Sequence, residues 1–345
     1  MNLTQLPSQD PAQILRFRDR QFSAELIAVA ILRFDFFTWL DGNGATSEAE
    51  ICSHFRWAQR PADVLLTLCR ASGFIETSAA GLTQLTTLGQ EFLVAGSAHS
   101  LRPYYQPIAD SPIVASYETI LNTGRPGSWQ ADADGADWHD SMKDQAFAES
   151  FTELMNCRGI TFGQQLALAL QERVQNHQHV LDVGGGSGIY AATLVARSPH
   201  LRGTVLEQSP VDAIAEREIA KHGLADQIKV VSGDMFADPW PSDADIILLS
   251  NVLHDWDFPE VEKLLDRCAD ALKPGGLLVV HEAFIHDDKS GPLPVAEYSA
   301  LLMNITQGKC YSVAEYADLL AQRGFTCTGL EPTIADRGFF TATKR

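Results

Sequence analysis

The residues most able to do chemistry lie in the second half of the chain. Leu181-Asp182-Val183 is a β-rich run that breaks into Gly184-Gly185-Gly186-Ser187-Gly188, a turn where backbone bends sharply and a ligand can come close. A glycine turn between strand and helix also serves dinucleotides. Two details separate the cases. Ile189 stands where the dinucleotide pattern wants glycine, the third glycine falling at Gly188 instead, and Asp182 stands just before the loop, with only Val183 between it and Gly184. A carboxylate there is a poor neighbour for pyrophosphate and a good one for a cation. S-adenosylmethionine carries an ammonium and a sulfonium but no phosphate, so charge favours it. Glu207 closes the next β-rich run, where a carboxylate can accept from both ribose hydroxyls. Asp234-Met235 closes the third, with the Asp suited to an adenine amino group and the Met to the ring face. Acids at three successive strand ends beside Gly184 and Gly186 make a cofactor pocket the expected reading.

The elements that must position these groups alternate. His179–Val183, Thr204–Glu207, Lys229–Gly233, Asp245–Leu249 and Leu277–Glu282 are strand-like and separated by helical segments, which predicts a doubly wound α/β fold. Two further strand-like runs, near Phe325–Leu330 and Gly338–Thr343, bring the expected mostly parallel Rossmann-like sheet to seven strands. Upstream, the chain reads as helical. Phe22 to Leu40 predicts one buried apolar helix, Thr46 or Ser47 caps a helix through His54, and Pro61 to Ala71 gives another, stopped at Gly73. A hairpin pattern over Phe74–Thr77 and Leu82–Leu85 completes the outline of a winged helix. Residues 103–145 read as irregular, and helical patterning resumes from Phe147. The expected division is a winged-helix dimerisation domain over 1–100, a linker with substrate-pocket helices over 101–175 and a cofactor-binding catalytic domain over 176–345.

Composition narrows the function further. The 345 residues are 45% apolar and 20% charged, as in a globular protein. A net charge of -18 disfavours nucleic acid and anionic membrane surfaces as partners. The would-be reading helix of the winged helix, Pro61 to Arg70, is mostly apolar, which suits packing and dimer formation better than a DNA groove. Six scattered cysteines without a C-x-x-C pair fit free thiols in a cytoplasmic protein. Asp132, Asp134, Asp137, His139 and Asp140 miss the calcium-loop spacing and read as a solvated acidic loop, so no metal is expected.

With Leu-Asp-Val-Gly-Gly-Gly-Ser-Gly, Gly-Asp-Met-Phe (Gly233–Phe236), Asn-Val-Leu-His-Asp-Trp (Asn251–Trp256) and Leu-Lys-Pro-Gly-Gly (Leu272–Gly276) in place, the chain resembles the plant-type and bacterial small-molecule O-methyltransferases with an N-terminal dimerisation domain. The resemblance covers nearly the whole chain. It implies methylation of a small, phenolic or related acceptor, with S-adenosylhomocysteine as the second product, and a homodimer whose winged-helix region helps close the partner's substrate pocket. Matched by position, His254 is the general base. A phenol with pKa about 10 is mostly neutral at pH 7, and an imidazole titrating near neutrality can take its proton as the oxygen attacks. Glu282 matches the carboxylate that orients the base and favours its protonated form, and Asp255 beside the base is either a direct participant or a strand-end acid. Ser250 stands where plant relatives often carry a Lys near the adenine. A second flanking glutamate of many relatives is replaced at or near Cys310. His281 should face away from Glu282 and pack.

Phe151, Met155, Leu301, Met303, Asn304, Cys310 and Tyr311 are candidate pocket walls or, equally, core. Two alternatives stay open: carbon methylation or a non-methylating reaction within the same family, and a winged-helix regulator whose second half senses a ligand.

Overall fold

The computed structural model describes residues 2–126 and 141–345. The acidic stretch from Asp132 to Asp140 lies outside the described residues. In chain order the elements are α1 (Ala12–Asp19), α2 (Ser23–Leu32), α3 (Phe36–Asn43), α4 (Glu48–Phe55), α5 (Gln59–Ala71), β1 (Ile75–Thr77), β2 (Thr83–Leu85), α6 (Thr87–Leu93), α7 (Arg102–Tyr105) and α8 (Pro112–Thr123). Then follow α9 (Gln145–Leu170), β3 (His179–Val183), α10 (Ile189–Arg197), β4 (Arg202–Glu207), α11 (Val211–Lys221), β5 (Ile228–Ser232), β6 (Ile246–Ser250), α12 (Phe258–Ala271) and β7 (Leu277–Glu282). The chain closes with α13 (Leu293–Ile305), α14 (Val313–Ala321), β8 (Phe325–Cys327), β9 (Glu331–Pro332) and β10 (Gly338–Lys344).

The chain forms two compact units, and these do not follow linear boundaries. One contains, among described residues, 2–13, 141–284 and 313–345; the other contains 14–126 and 285–312. Within the second unit, Tyr117 Oη on α8 donates to the Ala300 carbonyl on α13 at 2.8 Å, and the Arg60 guanidinium on α5 donates to the Gly308 carbonyl at 2.9 Å. Contacts of this kind draw residues 285–312 to helices laid down far earlier in the sequence.

In this helical unit, Ser47 caps α4 with a complete capping box against Glu50, as the residue types predict. The apolar stretch from Phe22 to Leu40 is not one helix. It breaks between α2 and α3 at Asp35, whose φ of 50° ends the helical path, although both pieces are buried. Nor is the stretch after Pro103 irregular throughout: Ser111 Oγ accepts the Ile113 N–H at 3.3 Å and starts α8, which buries Val114, Tyr117, Ile120 and Leu121 along one helical stripe. In α5 all residues from Val64 to Cys69 are buried, so the helix has little free face. On α1, Ile14 and Phe17 are 76% and 69% exposed.

The other unit holds one sheet of eight strands rather than seven. Its path is β5-β4-β3-β6-β7-β10-β8, and the two-residue β9 pairs with β10 as the extra strand. The first five strands on that path run parallel, while β10 is antiparallel to β7, β8 and β9. A segment of two residues ending at Pro332 carries no alternation to reveal it. Helix α9 packs on α10 at very short range, since a Cβ at Gly159 would lie 2.8 Å from Ile189 Cγ2 and one at Gly163 2.6 Å from Thr193 Oγ1. Among the described residues no helix is long and apolar enough to cross a membrane.

Candidate active site

All five parallel strands present their carboxyl ends on one edge of the sheet, where an α/β fold leaves its crevice. At β3 the glycine loop turns into α10. Gly188 has φ 74°, and a Cβ there would sit 2.9 Å from Ile219 Cδ1, so only glycine lets the loop pack on α11. Gly186, at φ 57°, has nothing within 4 Å of its Cβ position, so that side of its backbone is open. A Cβ on Gly184 would lie 3.3 Å from Val252 Cγ2 and 3.6 Å from Met235 Sδ, which places the ends of β3, β5 and β6 around the loop.

Each acid named from the sequence is held by nearby backbone. Asp182 is 1% exposed, and its Oδ2 accepts the Ala191 N–H at 3.2 Å while its buried Oδ1 has no hydrogen-bond partner. Burial pushes its carboxyl up to about 7. Glu207 accepts the N–H groups of Gly186 at 3.0 Å and Gln208 at 2.8 Å, and burial likewise raises it to about 7. Asp234 Oδ1 accepts the Phe236 N–H at 2.7 Å, fixing the turn that carries Met235. Ser250 Oγ lies 2.8 Å from His281 Nδ1. His281 is fully buried, with burial and Arg337 lowering it to about 3, so the imidazole is neutral; it packs on the face opposite Glu282, as strand alternation predicts. An orphaned carboxylate oxygen, an open glycine backbone and two acids kept near neutrality by burial fit a cationic nucleoside.

At β6 and β7 the arrangement is different. Asn251, at φ 55°, turns the chain off β6 into a short 3-10 turn over Leu253–Asp255. Glu282 is fully buried at the end of β7; its Oε1 accepts the His254 backbone N–H at 3.0 Å and its Oε2 accepts the Tyr316 hydroxyl at 2.8 Å. Backbone N–H groups of Leu253 and Val252 also bond it, so this carboxylate grips the turn that carries His254. Burial nevertheless raises Glu282 to about 7. The His254 imidazole is 2% exposed, with Nε2 3.7 Å from Asp255 Oδ1. Burial, with the positive fields of Arg158 and Arg337, holds it well below its ordinary value, so it is neutral at pH 7. The shift runs opposite to the one expected from a flanking carboxylate, because desolvation and two guanidiniums dominate. Asp255 is raised well above the carboxylate range by burial and by Glu282.

Tyr316, Arg158 and Arg337 escaped the sequence reading. Tyr316 and Leu320 are the buried residues of α14, a helical spacing that marked an inward hydroxyl but not its partner. Phe236 and Trp256 meet edge to face at 4.7 Å between centroids, tying the turn after β5 to the one after β6.

The candidate wall residues fall in two places. Phe151 and Met155 lie on α9, Phe151 stacked on Phe147 at 6.0 Å and Met155 Sδ 3.0 Å from Arg158 Nη2. Leu301, Met303, Asn304, Cys310 and Tyr311 belong to the helical unit and are buried; the Cys310 N–H donates to Ser299 Oγ at 3.0 Å and the Asn304 amide to Ser116 Oγ at 3.3 Å.

Comparison with known proteins matches residues 118–326 to a family described as O-methyltransferase domain. The 3-hydroxy-5-methyl-1-naphthoate 3-O-methyltransferase of Streptomyces sahachiroi is 33% identical over 81% of this chain and 80% of its own length. Aclacinomycin 10-hydroxylase RdmB of Streptomyces purpurascens is 34% identical over 59% of this chain and 54% of its own. Among solved structures, an O-methyltransferase family 2 protein from Planctomyces limnophilus in complex with apigenin superposes with a TM-score of 0.89 at 27% identity, covering 100% of this chain and 99% of that one.

Proposed function

The chain belongs to the O-methyltransferase family, and on that premise we propose that it methylates a hydroxyl of a small aromatic acceptor with S-adenosylmethionine as donor. The acceptor class is a hydroxylated fused-ring acid, by analogy with the naphthoate enzyme above. The observation that carries this reading is the buried, neutral His254 set between Asp255 and the Glu282-held turn, beside the glycine loop in the strand order.

When bound, the donor supplies an electrophilic methyl carbon on a sulfonium that is already a good leaving group. Asp182 Oδ1 holds the donor's ammonium, Glu207 its ribose hydroxyls, Asp234 its adenine amino group and Met235 the ring, with Gly184 and Gly186 allowing close approach. Ser250 borders the same edge. On the acceptor side His254 takes the hydroxyl proton at Nε2. Asp255 Oδ1 lies 3.7 Å from that nitrogen. Glu282 acts through backbone, fixing where the imidazole stands, and Phe151 and Met155 offer apolar surface to the ring. Holding oxygen and methyl carbon in line contributes much of the remaining acceleration. A homodimer through the helical unit belongs to the same reading, since Ile14 and Phe17 expose apolar surface there.

A hydroxylase among the relatives favours a second reading, chemistry other than methyl transfer on the same framework. Incubation with methyl-labelled S-adenosylmethionine and 3-hydroxy-1-naphthoate, read by mass spectrometry, separates them. A methyl ether at the hydroxyl supports the proposal, whereas donor binding with label on the carboxylate, on carbon or on no acceptor overturns it.

A further inference from the structure

Asn251 is the residue at which β6 ends, and three features of it call for an explanation. Its φ of 55° is a conformation that side-chain-bearing residues rarely adopt, though Asn tolerates it better than most. Its backbone N–H still donates to the His281 carbonyl at 2.9 Å, so the departure from the strand happens at this one residue. Its side-chain amide is fixed from one side: Nδ2 donates to the Tyr190 hydroxyl at 2.9 Å and to Ser250 Oγ at 3.3 Å. Ser250 Oγ is in turn 2.8 Å from His281 Nδ1, and the His281 ring stands edge to face on Tyr190 at 5.8 Å. This partly buried network commits both amide protons, so Oδ1 faces the other way. There it is buried and has no hydrogen-bond partner. A buried carbonyl left unsatisfied costs stability, and such a group in a native structure wants a reason.

Strand order supplies one. Along β5-β4-β3-β6, Asp234, Glu207 and the Asp182–glycine loop stand at successive strand ends, and the next end is Asn251. If adenine and ribose follow β5 and β4, the amino-acid end of the donor lies between the ends of β3 and β6, where its ammonium has protons for both Asp182 Oδ1 and a second acceptor. Val252 already touches the Gly184 position, so β6 and the glycine loop border the same space. An amide oxygen only accepts, which rules out the carboxylate of that end as its partner and leaves the ammonium. Resting on the donor reading above, we infer that Asn251 Oδ1 is a binding residue for the ammonium of the methyl donor, with Tyr190 a positioning residue that sets the amide's orientation. The left-handed backbone and the unsatisfied oxygen are then one device: both are tolerated because the ligand completes the hydrogen bonding.

Isothermal titration with S-adenosylhomocysteine and with 5′-methylthioadenosine tests this, since the second ligand keeps adenosine and thioether but lacks the amino-acid end. Asn251→Gly removes the amide while accepting the positive φ. It should weaken S-adenosylhomocysteine about tenfold, the worth of a hydrogen bond to a charged group, and leave 5′-methylthioadenosine within about twofold. Tyr190→Phe, which keeps the ring, should show a smaller loss with the same selectivity. Equal weakening of both ligands in both variants, or no weakening in either, overturns the inference while the donor reading stands. Failure of the wild-type protein to bind either ligand overturns the donor reading and this inference together.

Discussion

The two halves of the catalytic edge are built in different ways. At the ends of β3, β4 and β5 the acids are held by neighbouring backbone: Asp234 by a residue two positions on, Glu207 by the next residue and by Gly186, Asp182 by a residue nine positions on. At the ends of β6 and β7, Glu282 holds a backbone N–H 28 residues away and is held by a tyrosine 34 residues away. The first half is a set of short loops that a nucleoside can complete, and the second is a buried clamp assembled from distant segments. On the proposed reading, loops of the first kind tune donor affinity, and a clamp of the second kind places the proton acceptor and so governs turnover.

The largest expected effect separates the halves directly. His254→Ala should lower methyl transfer by about 10² to 10⁴ while leaving S-adenosylhomocysteine affinity within about twofold, read by labelled-methyl assay and titration calorimetry. Asp182→Asn makes the complementary cut. Donor affinity should fall about 10- to 100-fold, with turnover at saturating donor changing by only severalfold. A loss of turnover without loss of affinity there would dissolve the division.

The pH dependence sharpens it. Asp182 and Glu207 are raised to about 7 by burial, so the free protein holds protons on them that the unfolded chain releases near pH 4. Their contribution to stability is therefore present at low pH and lost as pH rises through about 7. A bound cation favours the ionised form, so donor binding should release protons and weaken as pH falls from 8 to 6, by up to about tenfold per unit for each acid that must ionise. Calorimetry in buffers of different ionisation enthalpy would register the released protons, and Asp182→Asn should flatten the profile.

The smallest effect belongs to the clamp. Tyr316→Phe removes one of the hydrogen bonds to Glu282, which should cost about 1–3 kcal/mol of stability and raise the Glu282 carboxyl further. Thermal melting and the pH profile of turnover report the two consequences. Unchanged melting with unchanged turnover would mean that the hydroxyl does not hold the clamp.

The same contrast explains what the sequence revealed. Strand-end acids, the glycine turn and the Ser47 cap are short-range patterns, and the structure puts them where their spacing does. His281 facing away from Glu282 follows from strand alternation alone. The break at Asp35 was hidden because an apolar run carries no mark of a left-handed residue. Helix α8 was hidden because Pro and Gly nearby outweighed its buried stripe, although Ser111-Pro112 is a start signal. Tyr316, Arg158 and Arg337 owe their place near His254 to the sheet's long-range assembly, and no local spacing encodes that. The neutral imidazole has the same origin, since it reflects burial and two distant guanidiniums.

The most direct test of the account follows one labelled methyl group. Wild-type protein and His254→Ala are each given S-adenosylmethionine and 3-hydroxy-1-naphthoate, with donor binding measured on the same samples. Donor binding should be equal in the two, with label on the hydroxyl oxygen for wild type and near-complete loss of transfer in the variant. Transfer that survives in His254→Ala at the wild-type rate would contradict the account.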